Sequence, residues 1–445
     1  MLRLHANSLN SDWFEFLVGL FGDLEPLGHF ARVENDGVLT IGTSNPIDRG
    51  SSRYENRWSD AHHLRHRLFL RKHRDEILAF ENDFAPLFVQ MATFQPSSVL
   101  PVLEIVDFKR EEHRRIIEYL KLYQSVTSGK AVGRRMGLLI WDVGQSGDPK
   151  LMGAALLASA RFSQKIRDMR FGWQQDYPRT SPHHDPVARQ VRIDGLARIM
   201  QLSVACALPP YSKLSGAWLA AIAPFTDFGL EAFMGSLKRK DVDADLAAVI
   251  TTTGMGVSGA PFRGQRVVQL AAKGVQAAPG AAGNLYSRAV PEDGVLPLRA
   301  SFVDLVSEET AARALRLFEV ERPEQFARLK SPQRSAMAHA LRRLGLHKSL
   351  FEGNEMGVHI GALGQNTFDY LRRGVPRPRA ERPLLEWKQV VDVWSRRFLP
   401  APTTVGESAT KNTKVQHREA RQKRLDAARD FPQSEILLSR LFNQT

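Results

Sequence analysis

The chain has 445 residues, 43% of them hydrophobic and 24% charged, which is the composition of an ordinary globular protein and excludes a disordered one. At roughly 150 residues per domain, this length predicts two or three domains. Lys and Arg number 61 against 48 Asp and Glu, and the net charge of +13 predicts attraction to polyanions, above all nucleic acid. The single cysteine, Cys206, excludes an intramolecular disulfide framework, and its apolar neighbours predict a buried structural thiol.

Neither a membrane segment nor a secretion signal is predicted. The longest apolar stretches, such as residues 214–225, fall short of the roughly 18 residues that a membrane span requires. Asp12, Glu15 and Asp23 interrupt the N-terminal region, which therefore lacks the apolar core of a signal peptide. We expect a cytoplasmic protein without membrane contact, in agreement with its single cysteine.

Residues 1–130 predict a helical N-terminal region. Its first helix begins near Ser11 and carries an apolar stripe over residues 13–21. Further helices are predicted over residues 57–84, where His and Arg accompany Leu and Phe, and over residues 106–123.

Residues 131–306 predict a mixed α/β domain. The two apolar runs that enclose a Gly-Asp-Pro turn indicate a hairpin, and residues 273–297 are rich in Ala, Gly and Pro and indicate a loop. A helix is expected to begin near Lys213, after the pair Pro209-Pro210. Strands are predicted at residues 136–143, 150–160, 198–208, 246–253 and 298–306.

The C-terminal third predicts a helical module and then a basic extension. Three short helices, over residues 307–318, 323–329 and 331–344, begin the module at 307–373, which could be helix-turn-helix-like with the third helix as reader. Residues 374–445 predict a stiff basic linker and a tail, part of which should form a basic amphipathic helix.

Two motifs are typical of sites but lack the surroundings that such sites need. The Gly-x-Gly-x-x-Gly sequence at residues 254–259 is followed by Pro261 and lacks an acidic residue about 20 positions later, so it predicts a flexible turn and not a dinucleotide site. The histidines at 62, 63 and 66 and at 183 and 184 form two groups whose spacing does not bring them together, and no metal site is predicted.

The strand, bend and helix over residues 199–223 could hold an anion. Unpaired backbone N–H groups and the positive end of the helix dipole would face the bend and could bind a phosphate or pyrophosphate. The candidate cofactor-binding residues are Lys213, Ser215, Gly216 and Ala217. The alternative is an ordinary strand-to-helix connection in which Gly216 fills a crowded packing point.

Four clusters of Lys and Arg in the sequence, near residues 65–72, 342–343, 372–379 and 421–424, predict contacts with nucleic acid. Arginine pairs with phosphate and stacks on bases. The alternative for each group is a solvated protein face. The candidate residues are Arg65, Arg67, Arg71, Lys72, Arg342, Arg343, Arg372, Arg373, Arg377, Arg379, Arg421, Lys423 and Arg424.

The mixed region resembles the GNAT-type N-acyltransferase fold in its hairpin ending at residues 151–154, its strand at 198–204, the bend at 208–211 and the helix at Gly216. The resemblance implies that the fourth strand splays from the fifth and that the pyrophosphate of acyl-CoA lies on the following turn. Trp218 departs from this pattern, because a small residue is expected there. The fourth strand also carries Gln201 and Ser203 and lacks the carboxylate that would act as the general base.

Four segments are more narrowly similar to the DruA family. They are the predicted strand at residues 249–253 and the segments at 261–264, 341–346 and 357–363. Members of that family belong to the Druantia anti-phage defence system and carry a degenerate acyltransferase-like domain. The resemblance covers residues 131–370 and implies antiviral defence. It also implies partners among the other proteins of such a system, a helicase being one candidate.

The sequence therefore predicts an α+β protein with a GNAT-like mixed sheet and a C-terminal three-helix module. Its expected function is a cytoplasmic defence component that contacts nucleic acid, DNA in preference to RNA, and that needs no cofactor. One alternative is an active acyltransferase that binds acetyl-CoA or another acyl-CoA, with Tyr211 or Tyr286 as general acid and no evident base. A second alternative is a non-catalytic scaffold for protein partners, so whether the chain is an enzyme stays open.

Overall fold

The computed structural model describes most of the chain. The described residues are 2–5, 10–27, 29–34, 38–43, 52–122, 133–173, 183, 185–237, 245–253, 285–289, 299–301, 306–329, 333–346, 352–364, 366–373 and 385–399. The motif at residues 254–259 and the tail beyond residue 399 lie outside them.

Strands and helices are interspersed along the chain, and the α+β fold class is confirmed. The described strands are β1 (Leu2–His5), β2 (His29–Val33), β3 (Val38–Thr43), β4 (Pro101–Ile105), β5 (Arg135–Asp142), β6 (Lys150–Ser159), β7 (Ile199–Ala207), β8 (Ala248–Thr252), β9 (Tyr286–Ala289), β10 (Arg299–Ser301), β11 (Glu352–Glu355) and β12 (Val358–Ala362). The described helices are α1 (Ser11–Leu24), α2 (Ser52–Lys72), α3 (Arg74–Asp83), α4 (Glu111–Lys121), α5 (Lys165–Arg170), α6 (Pro186–Ala197), α7 (Gly216–Ile222), α8 (Asp227–Ser236), α9 (Glu308–Glu321), α10 (Pro323–Ala327), α11 (Gln333–Arg343), α12 (Thr367–Arg373) and α13 (Trp387–Phe398).

The chain divides into two compact units, each assembled from separate stretches of sequence. Unit 1 comprises Met1–Phe69, Gly254–Val257 and Pro297–Met356, and unit 2 comprises the remainder. The predicted boundaries at residues 130, 306 and 373 enclose continuous stretches of sequence, whereas unit 1 combines three separate ones. Among the described residues, no helix combines the length and the apolar character needed to cross a membrane.

Unit 2 is organised around a seven-stranded sheet with the order β4-β5-β6-β7-β8-β12-β9. The predicted hairpin is confirmed as β5 and β6, and both strands are almost wholly buried because helices pack on the sheet. Neighbouring strands are antiparallel except β7 and β8, which pair in parallel over Ile199–Gln201 and Ala248–Ile250.

Helix α13 completes the core of unit 2. Its residues Trp387, Val390, Val391 and Trp394 are buried, and they recur at the spacing of one helical face. The Trp394 Nε1 donates to the Leu214 carbonyl at 3.1 Å, and the Trp387 Nε1 donates to the Pro101 carbonyl at 3.0 Å. The predicted linker and tail over residues 374–445 therefore contain a core helix.

Unit 1 contains a small sheet, β1-β3-β2, and a helical core. The three predicted short helices are confirmed as α9, α10 and α11, and α11 packs on α9 in a core that includes Met337 and Leu341. The predicted cap Ser307 accepts a hydrogen bond from the Thr310 N–H at 3.1 Å. The predicted terminator Gly345 has a φ of 68°, a conformation that favours glycine at a helix end.

A buried carboxyl between α3 and α4 gives unit 2 a pH-dependent stability. Burial raises the pKa of Glu81 to about 7, and the hydrogen bond that its carboxylate accepts from the Tyr119 hydroxyl at 2.9 Å partly opposes this effect. Because the folded protein favours the neutral form, Glu81 contributes stability that is fully present below its unfolded pKa and is lost as the pH rises through about 7.

We therefore expect Glu81→Gln, which cannot ionise, to raise the Tm by a few degrees at pH 8 and by much less at pH 5. The measurement is thermal unfolding of the variant and the parent across this pH range. Glu111→Gln, at an exposed position of α4, is the control and should give a pH-independent difference. A gain from Glu81→Gln that is equal at both pH values would contradict the assignment.

Candidate nucleic-acid interface

Unit 1 contains an open cleft of about 470 Å³ between α9, α10 and α11. Apolar side chains alternate there with two guanidinium groups, so the cleft offers both stacking surface and positive charge. Its lining residues are Phe318, Gln325, Arg328, Leu329, Ser335, Ala338 and Arg342.

The pattern of α11 explains why Arg342 faces this cleft. Ala336, Met337, Ala340 and Leu341 are buried against the rest of unit 1. Since residues three or four apart share a helix face, Ser335, Ala338 and Arg342 form a stripe on another side. The helix that the sequence predicts as a reader therefore presents one of its predicted arginines to the cleft.

The neighbouring arginines 342 and 343 differ in their partners. The Arg342 Nε donates to the Ala338 carbonyl at 3.2 Å, and within the described residues no carboxylate lies within ion-pair distance of it. The Arg343 Nε lies 3.8 Å from the Glu321 carboxylate. Glu321 also accepts from the Trp13 Nε1 at 3.2 Å and lies 2.8 Å from the His339 Nε2. Arg342 therefore lines the cleft without a described carboxylate partner, while Arg343 is exposed outside the cleft lining and lies near a carboxylate that Trp13 and His339 share.

The predicted basic group on α2 is exposed where it is described. Arg67, Arg71 and Lys72 face solvent, and the first two lie one helical turn apart. The side chain of Arg65 lies outside the described residues.

The predicted group near residue 372 is described in part. Arg372 is exposed, and its side chain lies against Gly172, where an added Cβ would approach the Arg372 Nε to 2.5 Å. For Arg373 the structure describes the backbone but not the side chain. The remaining candidates lie outside the described residues: Arg377, Arg379, Arg421, Lys423 and Arg424.

A row of arginines and aromatic rings in unit 2 is absent from the sequence-based candidates. It follows the loop after β6, then α5 and α6, and continues to α12. The guanidinium carbons lie 4.8–5.8 Å from ring centroids, a distance typical of cation–π contacts. The pairs are Arg167–Trp173, Arg170–Phe368, Arg189–Phe162, Arg192–Phe162 and Arg198–Tyr370.

A buried ion pair holds this row in place. Arg167 and Asp168 are almost fully buried, and the Arg167 Nε donates to the Asp168 carboxylate at 2.7 Å. Burial lowers the pKa of the Arg167 guanidinium, and the adjacent carboxylate opposes this shift. The Arg192 Nη1 approaches the other Asp168 oxygen at 3.8 Å. The composition of residues 160–198, rich in Arg, was the available sequence signal.

The predicted cofactor turn is enclosed by apolar packing. An added Cβ at Gly216 would come within 2.8 Å of the Ala207 Cβ, which favours the alternative of a crowded packing point. Trp218 is buried and meets Phe398 of α13 edge to face at 5.8 Å. The turn begins at Lys213, and Ser215 adopts a φ of 59° before α7. Ala217 lies in the first turn of α7.

The two candidate general acids are buried and have internal partners. The Tyr211 hydroxyl donates to the Asp142 carboxylate at 2.9 Å, and burial together with this carboxylate raises the pKa of Tyr211. The Tyr286 hydroxyl donates to the Ala221 carbonyl at 3.0 Å, and burial raises its pKa well above the usual value. Both contacts assign these hydroxyls a structural role, and their catalytic role stays a prediction.

Cys206 is buried in β7, as predicted, and burial raises the pKa of its thiol to about 12. Among the described residues, no group of three or more His, Cys, Asp or Glu side chains is arranged to hold a metal ion.

Fold and surface together define a mixed α+β protein whose exposed arginines lie beside apolar and aromatic side chains. Residues 52–260 match the family model described as Druantia protein DruA. This match confirms the resemblance to the DruA family. No curated protein and no solved structure matches the chain.

Proposed function

We propose that the chain is a component of a Druantia anti-phage defence system and that it contacts DNA through the cleft of unit 1. The DruA match supports the place in defence. The observation that carries the contact with nucleic acid is Arg342, an exposed cation at the cleft without a described carboxylate partner. The net charge of +13 supplies a long-range attraction to a polyanion.

The shape of the module favours DNA over RNA. The major groove of B-DNA is wide enough to admit a helix, whereas the corresponding groove of A-form RNA is deep and narrow. Helix α11 carries Ser335, Ala338 and Arg342 on its cleft side and has the length of a reading helix. Phosphates would be contacted by Arg342 and by Arg328, which forms a long, exposed ion pair with Glu324 at 3.9 Å.

We infer that unit 2 has a degenerate GNAT-like core. The parallel pair β7 and β8, whose paired register covers three positions, supports this inference, since the GNAT-type fold places its splayed strands there. The packing of Trp218 and Gly216 does not favour acyl-CoA on the following turn. We further propose a cytoplasmic location and other defence proteins, a helicase among them, as partners.

The charge of Arg342 should contribute more to DNA affinity than the charge of Arg343. We expect Arg342→Gln to weaken binding to a 20-base-pair DNA duplex about tenfold at about 100 mM salt, because one phosphate contact is lost. The log–log salt slope should fall by about one. The matched control Arg343→Gln, on the same helix, should change the affinity by less than about threefold, since this arginine is not among the residues that line the cleft and lies 3.8 Å from Glu321.

Fluorescence polarisation titrations at several salt concentrations make the measurement, and the Tm of each variant reports on its folding. Equal losses for the two variants would indicate a diffuse electrostatic effect and remove the cleft from the proposal. An unchanged affinity for Arg342→Gln, or binding without salt dependence, would end the proposal of DNA contact here.

A further inference from the structure

The loop after β6 exposes an aromatic ring beside two arginine side chains, of which Arg192 is buried. Phe162 is 38% exposed. The Arg189 guanidinium carbon lies 4.8 Å from its ring centroid, and that of Arg192 lies 5.8 Å away. An aromatic ring that meets both solvent and guanidinium planes is a surface on which an unpaired nucleobase can stack.

Buried contacts fix the backbone that carries this ring. The Arg167 Nη1 donates to the Arg161 carbonyl at 2.6 Å, and its Nη2 donates to the Phe162 carbonyl at 3.2 Å. Arg167 is itself held by the carboxylate of Asp168. Because charge-assisted bonds from a buried group hold both carbonyls, the loop is ordered before any ligand arrives, which lowers the entropic cost of binding.

Two buried rings, Trp173 and Phe171, connect this region with the half-buried Phe368 of α12. Trp173 contacts Phe171 at 5.0 Å, and Phe171 contacts Phe368 of α12 at 5.8 Å between ring centroids. The Trp173 Nε1 donates to the Leu371 carbonyl at 2.7 Å, which joins α12 to this region. Arg170 lies over Phe368 at 5.0 Å. Aromatic contacts therefore connect the α5 region with α12.

The exposed cations along this row have the charge that a nucleic-acid backbone needs. Arg161, Arg170 and Arg372 are exposed, and no described carboxylate lies within ion-pair distance of any of them. Accessible rings together with exposed guanidinium groups are the combination by which proteins hold single strands, since bases stack on the rings and phosphates pair with the cations.

We propose that a surface beside this row, formed by Phe162 and Phe368 with Arg161, Arg170 and the sequence-predicted Arg372, binds single-stranded nucleic acid. The class of ligand rests on the proposed contact with nucleic acid, but the site is new and lies in unit 2. A duplex is disfavoured as its ligand, because its bases are already stacked on one another and leave no face for Phe162. Bases would stack on the exposed ring, and phosphates would lie at the exposed arginines.

The test compares fluorescein-labelled dT20 with a 20-base-pair duplex at about 100 mM salt. Phe162→Leu keeps an apolar side chain and removes the π face, so dT20 should bind about fivefold or more weakly while duplex affinity stays within about twofold. Phe162→Trp keeps the stacking face, should retain the affinity for dT20, and should show indole quenching on binding. Val187→Ala, at a position on α6 that is 71% exposed, is the matched control and should change neither affinity.

The outcomes separate this inference from the proposed function. If Arg342→Gln weakens duplex binding while Phe162→Leu leaves dT20 binding unchanged, the single-strand site is overturned and the cleft stands. If Phe162→Leu weakens dT20 binding while Arg342→Gln has no effect on the duplex, the site stands and the cleft is overturned. Polyglutamate and unlabelled dT20 are compared as competitors at equal concentrations of negative charge. If both displace labelled dT20 equally well, the surface binds anions in general and base stacking on Phe162 is excluded.

Discussion

Replacing Asp168 by Asn is expected to lower the free energy of unfolding of unit 2 by about 3–5 kcal/mol, because a buried cation loses its counter-charge. Arg167 is fully buried and Asp168 is 5% exposed, so water does not replace the lost carboxylate. Both oxygens of Asp168 are engaged, one by the Arg167 Nε at 2.7 Å and the other by the Gln164 N–H at 2.9 Å. Asn preserves the shape of the side chain, so the loss reports on charge and not on volume.

Urea unfolding followed by far-UV circular dichroism measures this effect. Asp194→Asn is the matched control, because Asp194 lies on α6 and accepts an exposed hydrogen bond from Gln190 at 2.9 Å. The control should stay within about 0.5 kcal/mol of the parent. A loss of less than about 1 kcal/mol for Asp168→Asn would show that Arg167 is not held as the packing indicates.

The same variant connects stability with the single-strand site. Arg167 holds the carbonyls of Arg161 and Phe162, and without Asp168 this donor loses the partner that fixes its position. The order of the loop therefore depends on a buried pair at adjacent positions of the sequence. The pair is local in sequence, yet its burial depends on helices that arrive from elsewhere in the chain.

Elements with local signals were predictable from the sequence. The β5–β6 hairpin follows from two apolar runs around a turn, and α9 follows from its cap Ser307. Gly345 ends the last of the three helices at a positive φ, and this also can be read from the chain. Such signals act over a few residues and need no knowledge of the fold.

Helix α6 begins with a local sequence signal, whereas β1, β2 and β3 do not. Asp185 caps α6 by accepting from the Val187 and Ala188 N–H groups at 2.8 and 3.1 Å, and Pro186 occupies the first helical position. This Asp-Pro start is typical of a helix, although no helix is predicted there in the sequence analysis above. The short strands β1, β2 and β3 depend on pairing with one another, which local patterns do not specify.

The candidate interface shows what depends on tertiary contacts alone. Arginines 342 and 343 look equivalent in sequence, and Glu321 on another helix distinguishes them. The arginine–aromatic row joins α5 to α12, and its link between Trp173 and Leu371 spans 198 residues. The sequence predicts that arginines bind a polyanion, and folding decides which of them remain free to do so.

Trp394→Ala is expected to destabilise unit 2 by about 3–5 kcal/mol, because it opens a large cavity in a closed core. Trp394 is fully buried, and its Nε1 donates to the Leu214 carbonyl at 3.1 Å, so the variant also leaves a buried acceptor without its donor. The experiment tests whether α13 is part of the core, against the expectation of a linker and tail over residues 374–445.

Two further variants decide how the loss is read. Lys388→Ala changes an exposed position of the same helix and should stay within about 0.5 kcal/mol of the parent. Trp394→Phe keeps much of the volume but removes the donor, so it should fall between the parent and Trp394→Ala. Urea unfolding curves of the three variants provide the comparison. If Trp394→Ala and Lys388→Ala unfolded at the same urea concentration as the parent, α13 would be dispensable to the core. The packing of Phe398 of α13 on Trp218, which encloses the turn at Gly216, would then also be in error.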